Sequence, residues 1–249
     1  MLTGSAFLKR ITCTALSCLV GYGLGTALSA QTSAVTGRVN LVRADGKPRT
    51  GNAGIVVWLT PIPNQRPAAA DRSRSLPQKQ IVQRNKRFET RVLAVEVGTV
   101  VEFPNRDPFF HNVFSLFEGT KFDLGLYEAG ATKEVQFNKP GVCYIFCNIH
   151  SQMNATVVVV DTPYFLQLDG PGQFQIPQVP PGRYQLNVWA ERCSPKALKA
   201  MSRQINVETG PVSLGTIQLE ESRDLLEGHS NKYGKDYDTS VFSSPIYVP

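Results

Sequence analysis

Four residues of the chain have the side chains and the spacing of a metal site. Cys147, His150 and Met153 form a Cys-x2-His-x2-Met pattern directly after a predicted strand, and His111 precedes them in the sequence. One thiolate, two imidazoles and one thioether are the donors of a type 1 copper site, where two histidines and a cysteine form a plane and methionine is a weak axial ligand. Sulfur favours Cu(I) and imidazole holds Cu(II), so this donor set suits one-electron cycling.

Each of these residues has a simpler interpretation when it is taken alone. Cys147 would be a buried structural thiol, His150 a surface histidine and Met153 a filler of the core. Their coincidence in one short loop, in a chain with only three histidines, favours the metal site. Zinc is the nearest rival, but a thioether is a poor zinc ligand. We therefore predict one copper ion per chain.

The N-terminal segment predicts an exported, periplasmic or otherwise secreted protein. Residues 1–30 combine Lys9 and Arg10 with a mostly apolar stretch and the small residues of 27–30, which is the pattern of a cleaved signal peptide. An uncleaved anchor is the alternative, although the apolar stretch is short for a membrane span and contains three glycines. After cleavage we expect no stable membrane span.

Composition and charge narrow the function classes. Three histidines are too few for a multinuclear copper enzyme, and no nucleophile–base arrangement is recognisable, so we expect no enzyme. Residues 62–91 hold eight basic and two acidic side chains, which indicates a solvated linker or a surface that docks an acidic partner or a membrane. No stacking motif accompanies these charges, and we therefore expect no nucleic-acid partner.

The elements that must position the four residues are predominantly strands. Short apolar or alternating runs recur at intervals of 8–12 residues between Gly and Pro turns, which predicts an all-β chain of sandwich architecture. The one predicted helical turn is 195–201. The predicted strands are 35–42, 55–59, two around Gly98 within 92–103, 113–117, 134–137, 142–146, 155–160, 164–168, 174–176, 184–189, 204–207 and 213–219.

Residues 78–161 resemble a cupredoxin of the plastocyanin/amicyanin kind. The resemblance rests on the stretch 88–107, on the His111-Asn112 pair and on the short loop of Cys147. It implies a Greek-key β-sandwich with hydrogen-bonding roles for Asn112 and Asn148 around the ligands. It also implies a loop histidine near the surface, which makes His150 the expected point of electron entry. The whole chain is similar to exported proteins often labelled methylamine utilisation proteins.

The resemblance also implies a small apolar patch for a transient redox partner. We expect this patch at Pro108, Phe109, Phe110 and Ile149, which surround the predicted ligands in the sequence.

Three positions depart from the cupredoxin pattern. Ser151 replaces the usual proline after the loop histidine, and Cys143 replaces a common tyrosine. Asn148 follows Cys147 where serine or threonine often lies, and it has a similar ability to form hydrogen bonds. By strand alternation Cys143 shares the inward face of Cys147. It is interpreted as a buried thiol or as a disulfide partner of Cys193, and it could also perturb the copper site.

The flanking residues resemble a second sandwich of the carboxypeptidase regulatory-like, transthyretin-like kind. The resemblance covers 34–60 and 162–220, and predicts one β-sandwich split by the inserted cupredoxin. The alternative assigns 34–60 to the cupredoxin and 162 onward to a separate domain. Residues 61–77 are predicted to be a linker, and 221–249 a loosely ordered tail with local docking of aromatics such as Tyr233, Tyr237 and Tyr247.

Together these observations predict a type 1 copper protein that shuttles single electrons. The alternatives are copper storage or delivery without an electron relay, and a structural interaction module. Storage proteins use exposed clusters of Met and His, whereas this chain has only three methionines.

Overall fold

The computed structural model describes residues 32–62, 75–116, 118–222 and 232–236. The predicted signal peptide, most of the predicted linker and most of the tail, including Tyr237 and Tyr247, lie outside the described residues. The described chain is an all-β sandwich protein, as predicted. Its elements are β1 Ser33–Val42, β2 Ile55–Pro61, β3 Lys79–Gln80, β4 Gln83–Arg84, β5 Arg87–Phe88, β6 Val92–Glu96, β7 Val100–Pro104, β8 His111–Ser115, β9 Phe122–Tyr127, β10 Thr132–Gln136, β11 Gly141–Phe146, β12 Asn154–Val160, β13 Phe165–Leu168, β14 Gly172–Val179, β15 Gly182–Ala190, α1 Pro195–Met201, β16 Arg203–Val207 and β17 Val212–Glu220.

One sandwich contains the candidate metal residues. A five-stranded sheet in the order β6-β12-β11-β8-β9 packs against a three-stranded sheet in the order β10-β7-β3, and β4 and β5 form a separate hairpin. Phe103, Phe137 and Val157 are fully buried in the core between these sheets. Cys147 and Met153 belong to the same buried cluster, so two of the candidate metal residues are part of this hydrophobic core.

A second group of sheets combines strands from both ends of the described chain. The orders are β14-β1-β17 and β13-β2-β15-β16. Val39 of β1 pairs with Gly172 of β14 on one side and with Ile217 of β17 on the other. Residues 34–60 therefore contribute strands to the same sheets as residues 162–220. The carboxypeptidase regulatory-like assignment of this group stays a prediction.

Strand β12 is buried on both of its faces and links the two cores. Val157 and Val159 belong to the core of the metal-site sandwich, whereas Val158 and Val160 belong to the core of the second group. A strand covered on both sides carries a continuous apolar run instead of an alternating one, which explains the four consecutive valines. The second group of sheets therefore covers the outer face of this sheet at β12 and at the neighbouring strand β6, whose Val92 and Ala94 belong to the same core.

The structure differs from the predicted elements in a few places. The strand expected at 113–117 begins at His111 and ends at Ser115, so the first metal residue lies on the strand itself. Strand β9 and the short strands β3, β4 and β5 were not predicted. No helix in the described residues has the length and apolar character that a bilayer crossing requires.

Candidate metal centre

The metal residues come from a strand and from a neighbouring loop. His111 begins β8, and the loop of residues 147–153 connects β11 to β12. The last residue of β11, Phe146, pairs with Phe114 of β8. Because this pairing ends at Phe146, the next residue, Cys147, leaves the sheet beside β8.

The loop closes on itself through backbone hydrogen bonds. The Cys147 N–H donates to the Met153 carbonyl at 3.2 Å, and the Met153 N–H donates to the His150 carbonyl at 3.0 Å. These bonds fix a short turn in which two residues separate Cys147 from His150 and two separate His150 from Met153. Cys147 and Met153 are fully buried, and His150 is only 3% exposed.

The structure brings together three of the four predicted ligands at measured distances. The Cys147 Sγ lies 3.9 Å from the His111 Nδ1 and 3.6 Å from the His150 Nδ1. All three donor atoms lie within 4.8 Å of one another. Metal–donor bonds of about 2.0–2.3 Å at angles of about 110–120° separate a sulfur and a nitrogen donor by about 3.6–3.8 Å. The donor set therefore fits one ion.

His111 is oriented by a buried carboxylate that the sequence analysis did not identify. The Asp107 Oδ2 lies 2.7 Å from the His111 Nε2, and both residues are buried. The carboxylate accepts the ring N–H, which leaves the Nδ1 lone pair facing Cys147. A carboxylate on the far nitrogen of a metal histidine fixes its tautomer and its orientation.

A tight hairpin turn holds the Asp107 carboxylate. The backbone N–H groups of Asn85 and Lys86, which join β4 to β5, donate to its two oxygens at 2.6 and 2.9 Å. Both turn residues have positive φ angles, 54° and 53°, as in the type I′ turn of two-residue hairpins. Burial opposes ionisation of Asp107, but the bonds from His111, Lys86 and Asn85 outweigh it and lower its pKa.

The other titratable groups favour neutral ligands in the absence of a metal. Burial lowers the pKa of His150 to about 4, and the nearby His111 and Lys86 act in the same direction. Burial also lowers the pKa of His111, although the Asp107 hydrogen bond opposes this shift. Both imidazoles are therefore neutral at pH 7, which is the protonation state that binds a metal.

The Cys147 sulfur has hydrogen-bond donors of its own. Burial raises the pKa of the thiol, while backbone N–H groups of Asn112, Ile149 and His150 lower it without cancelling the rise. Such N–H donors are directed at the charge of a thiolate. The pocket therefore suits a thiolate whose charge a bound cation neutralises.

The two predicted hydrogen-bonding asparagines occupy different positions. The Asn112 Nδ2 donates to the Asp123 Oδ1 at 2.8 Å and to the Gly125 carbonyl at 3.0 Å, which links β8 to β9. The Asn148 Oδ1 accepts the backbone N–H of Lys232 at 3.0 Å. Asn112 thus supports the strand of His111, and Asn148 anchors a later part of the chain to the loop.

The predicted partner patch is only partly exposed. Pro108 and Phe110 are exposed, whereas Phe109 and Ile149 are half-buried. The Phe109 ring centroid lies 5.2 Å from that of His111 and 5.8 Å from that of His150. His150 was expected near the surface but is buried, and this aromatic packing is one reason.

The two other cysteines of the described residues do not form a disulfide. Cys143 and Cys193 are both free and buried, so the alternative of a bridge between them is wrong for this structure. The Cys143 Sγ accepts the backbone N–H of Thr120 at 3.1 Å. In the described tail segment Tyr233 is 70% exposed, and the backbone N–H of its neighbour Lys232 donates to Asn148.

Comparison with known proteins gives similarity of fold alone. No protein-family model matches the chain, and no curated protein matches it. It is similar to a purple cupredoxin from Nitrosopumilus maritimus, with 24% identity over 33% of this chain and 99% of that chain and a TM-score of 0.31. It is similar to a Cu(I) amicyanin variant, with 21% identity over 42% and 98% and a TM-score of 0.32.

A third similar structure is the copper-containing nitrite reductase of Thermus scotoductus SA-01. The identity is 21%, over 49% of this chain and 28% of that chain, and the TM-score is 0.34. Similarity at these scores carries no functional conclusion. Any function must therefore come from the geometry of the site itself.

Proposed function

We propose that this protein is an exported type 1 copper protein that passes single electrons between redox partners. The observation that carries the proposal is the buried convergence of His111, Cys147 and His150, which each place one donor atom within 4.8 Å of the others. The Cys147 Sγ lies 3.9 and 3.6 Å from the two Nδ1 atoms. Met153, at the end of the same loop, supplies the thioether that distinguishes this donor set from a zinc site. The signal-like residues 1–30 support export.

The chain's own residues prepare the site for a metal that changes charge by one unit. A bound copper ion would supply the one-electron chemistry. Asp107 holds the His111 ring through its Nε2–H, so that the Nδ1 keeps a fixed position. The bonds between Cys147, Met153 and His150 hold the loop in the same way. A rigid donor set reduces the rearrangement that accompanies electron transfer.

Binding of the metal has a proton cost at Cys147. Burial keeps the thiol protonated in the metal-free protein, so that the sulfur must release a proton when it becomes a ligand. His111 and His150 carry no such cost at pH 7, because both are neutral. Copper affinity should therefore rise with pH through the loss of one proton.

The surface around the site suits brief contacts with a redox partner. Phe110 is 47% exposed, and Pro108 is also exposed. The half-buried Phe109 ring packs against both imidazoles. Small apolar patches of this kind favour weak, short-lived complexes. We propose that electrons pass through the surface formed by Pro108, Phe109, Phe110 and Ile149.

Native mass spectrometry of the copper-reconstituted protein tests the ligand assignment. We expect one copper per chain in the natural protein and none retained in Cys147→Ser. Cys143→Ser is the matched control, because it replaces a buried thiol of the same core outside the metal residues. Equal copper retention in the two variants would contradict the assignment.

Voltammetry separates electron transfer from storage or delivery. A relay predicts a reversible one-electron couple and copper that withstands a chelator in both oxidation states. Loss of Cu(I) to the chelator at each reduction would favour storage or delivery instead.

A further inference from the structure

The described tail segment, residues 232–236, lies against the metal end of the sandwich. The backbone N–H of Lys232 donates to the Asn148 Oδ1 at 3.0 Å. Its Nζ donates to the Asp123 Oδ2 at 2.8 Å. These contacts span 84 and 109 residues of the sequence, so a distant part of the chain is fixed at two points beside the site.

Both contacts of Lys232 are made with residues close to Cys147 or bonded to its neighbours. Asn148 is the residue that follows Cys147 in the loop. On the other side, the Asp123 Oδ1 accepts the Asn112 Nδ2 at 2.8 Å, and the Asn112 backbone N–H donates to the Cys147 Sγ. Lys232 is therefore connected to residues beside the sulfur on two sides, through Asp123 to Asn112 and directly to Asn148.

The Lys232–Asp123 contact is a charged pair with partial shielding from water. The side chains are 21% and 32% exposed. The hydrogen bond to Asp123 raises the pKa of Lys232, and burial of Asp123 is outweighed by its bonds from Lys232, Gly125 and Asn112, which lower its pKa. Both groups are charged at neutral pH, which makes their hydrogen bond stronger than a neutral one.

A local backbone feature makes Asp123 available for this role. Residues 111 and 112 of β8 pair with 127 and 126 of β9, but Phe114 pairs with Asp123, so β9 has one extra residue at this point. Gly125 lies in the bulge with a φ of 65°. The bulge aims the Asp123 carboxylate at both Asn112 and the tail, which is a typical use of a β-bulge beside a site.

We propose that Lys232 is a positioning residue of the metal centre, through which the C-terminal segment sets the redox properties of the Cys147 sulfur. This inference rests on the copper function proposed above. Lys232 contributes a positive charge near the site and steadies the N–H donor of Asn112. Both effects stabilise electron-rich states of the centre, so that Lys232 favours Cu(I) over Cu(II).

The test compares the reduction potentials of three variants of the whole purified protein. Lys232→Gln removes the charge and the ion pair, and Lys232→Arg keeps them. Lys235→Gln removes the same charge from the same segment and is the matched control. We expect Lys232→Gln to lower the preference for Cu(I) about tenfold, which corresponds to a potential about 59 mV lower. Lys232→Arg should restore most of the difference.

A second readout does not depend on the metal. In nuclear magnetic resonance spectra of the metal-free protein, Lys232→Gln should shift the Asn112 backbone amide and the Asn148 side-chain amide. Lys235→Gln should leave both in place.

The outcomes distinguish this inference from the copper function. An intact blue site with equal potentials in Lys232→Gln and Lys235→Gln would overturn the inference and leave the copper function standing. A natural protein without a copper–thiolate absorption band would overturn both. A potential shift without recovery in Lys232→Arg would overturn the role of the charge.

Discussion

The loop of Cys147 and the strand of His111 are held by different kinds of contact. Within the loop, hydrogen bonds join Cys147, His150 and Met153 to one another. His111 instead depends on Asp107, which depends on the hairpin turn at Asn85 and Lys86. One part of the site is local in sequence, and the other is assembled from separate segments.

The supports of His111 are more sensitive to substitution than those of the loop. A loop that closes on itself keeps its shape after an outside contact is lost. A histidine whose orientation depends on a buried carboxylate loses that orientation when any member of the chain of contacts is removed. We therefore expect substitutions around His111 to have larger effects than substitutions around the loop that spare its ligands.

The largest effect is expected for Asp107→Ala. The substitution leaves the buried His111 Nε2–H and the backbone N–H groups of the hairpin turn without their acceptor. We expect a loss of about 3 kcal/mol in the free energy of unfolding. Copper affinity should fall about 10- to 100-fold. Urea unfolding of the metal-free protein and competition with a chelator measure the two effects.

The control for Asp107→Ala is Asp45→Ala. Asp45 pairs with Arg43 through side chains that are 43% and 51% exposed, so its loss should cost less than about 0.5 kcal/mol. Equal losses for the two aspartates would contradict the importance of the His111 support.

The next largest effect is a fall in the stability of the metal-free protein in acid. Burial lowers the pKa of His150 from 6.5 to about 4, so the unfolded chain binds more protons than the folded chain between these values. The free energy of unfolding is therefore highest above pH 6.5. It decreases as the pH falls towards 4, by up to about 3 kcal/mol.

Two variants compare how much the loop histidine and the strand histidine contribute to the loss of stability in acid. Asp107 offsets part of the burial effect at His111. We therefore expect His150→Gln to remove more of the acid dependence than His111→Gln, as measured by urea unfolding at pH 4.5 and pH 7. The opposite order would show that protonation of His111, and not of His150, causes most of the loss of stability in acid.

A smaller difference is expected between the two asparagines. Asn112→Ala breaks two hydrogen bonds that connect β8 to β9 and should cost about 1–2 kcal/mol. Asn148→Ala removes the acceptor of one bond from Lys232 and should cost less than about 0.5 kcal/mol. Thermal unfolding of the metal-free proteins measures the loss of stability in each variant. A larger loss in Asn148→Ala than in Asn112→Ala would contradict this prediction.

The smallest effect, and the one with opposite sign, is expected for Lys86→Gly. The left-handed backbone at Lys86 costs about 1–2 kcal/mol for a residue with a side chain, and glycine removes this cost. The change also loses a contact of the Lys86 Nζ at 5.3 Å above the Phe109 ring. We expect a net gain of about 0.5 kcal/mol in urea unfolding, and a net loss would show that the ring contact dominates.

The contrast between local and distant contacts also explains what the sequence could predict. The loop motif is visible because Cys147, His150 and Met153 are close in sequence. The helix at Pro195–Met201 is predicted to the residue, because Ser194 caps it and Pro195 suits its first turn. The all-β sandwich follows from the spacing of apolar runs and turns.

The supporting residues were missed for physical reasons. Asp107 acts through a turn 21 and 22 residues away, and no local pattern reveals that pairing. Strand β9 has a glycine bulge that interrupts its alternation, so it does not resemble a strand. Lys232 contacts residues that lie 84 and 109 positions earlier in the sequence, so no local pattern predicts these contacts. The one sequence signal for this support is an aspartate four residues before the candidate metal histidine.

The most direct test of the central claim is the visible and electron paramagnetic resonance spectrum of the purified protein reconstituted with Cu(II). If His111, Cys147, His150 and Met153 hold one copper ion, an intense thiolate-to-copper band and a narrow copper hyperfine splitting should appear, and Cys147→Ser should abolish the band while Cys143→Ser retains it. A colourless natural protein, or one with ordinary type 2 copper signals, would contradict the account.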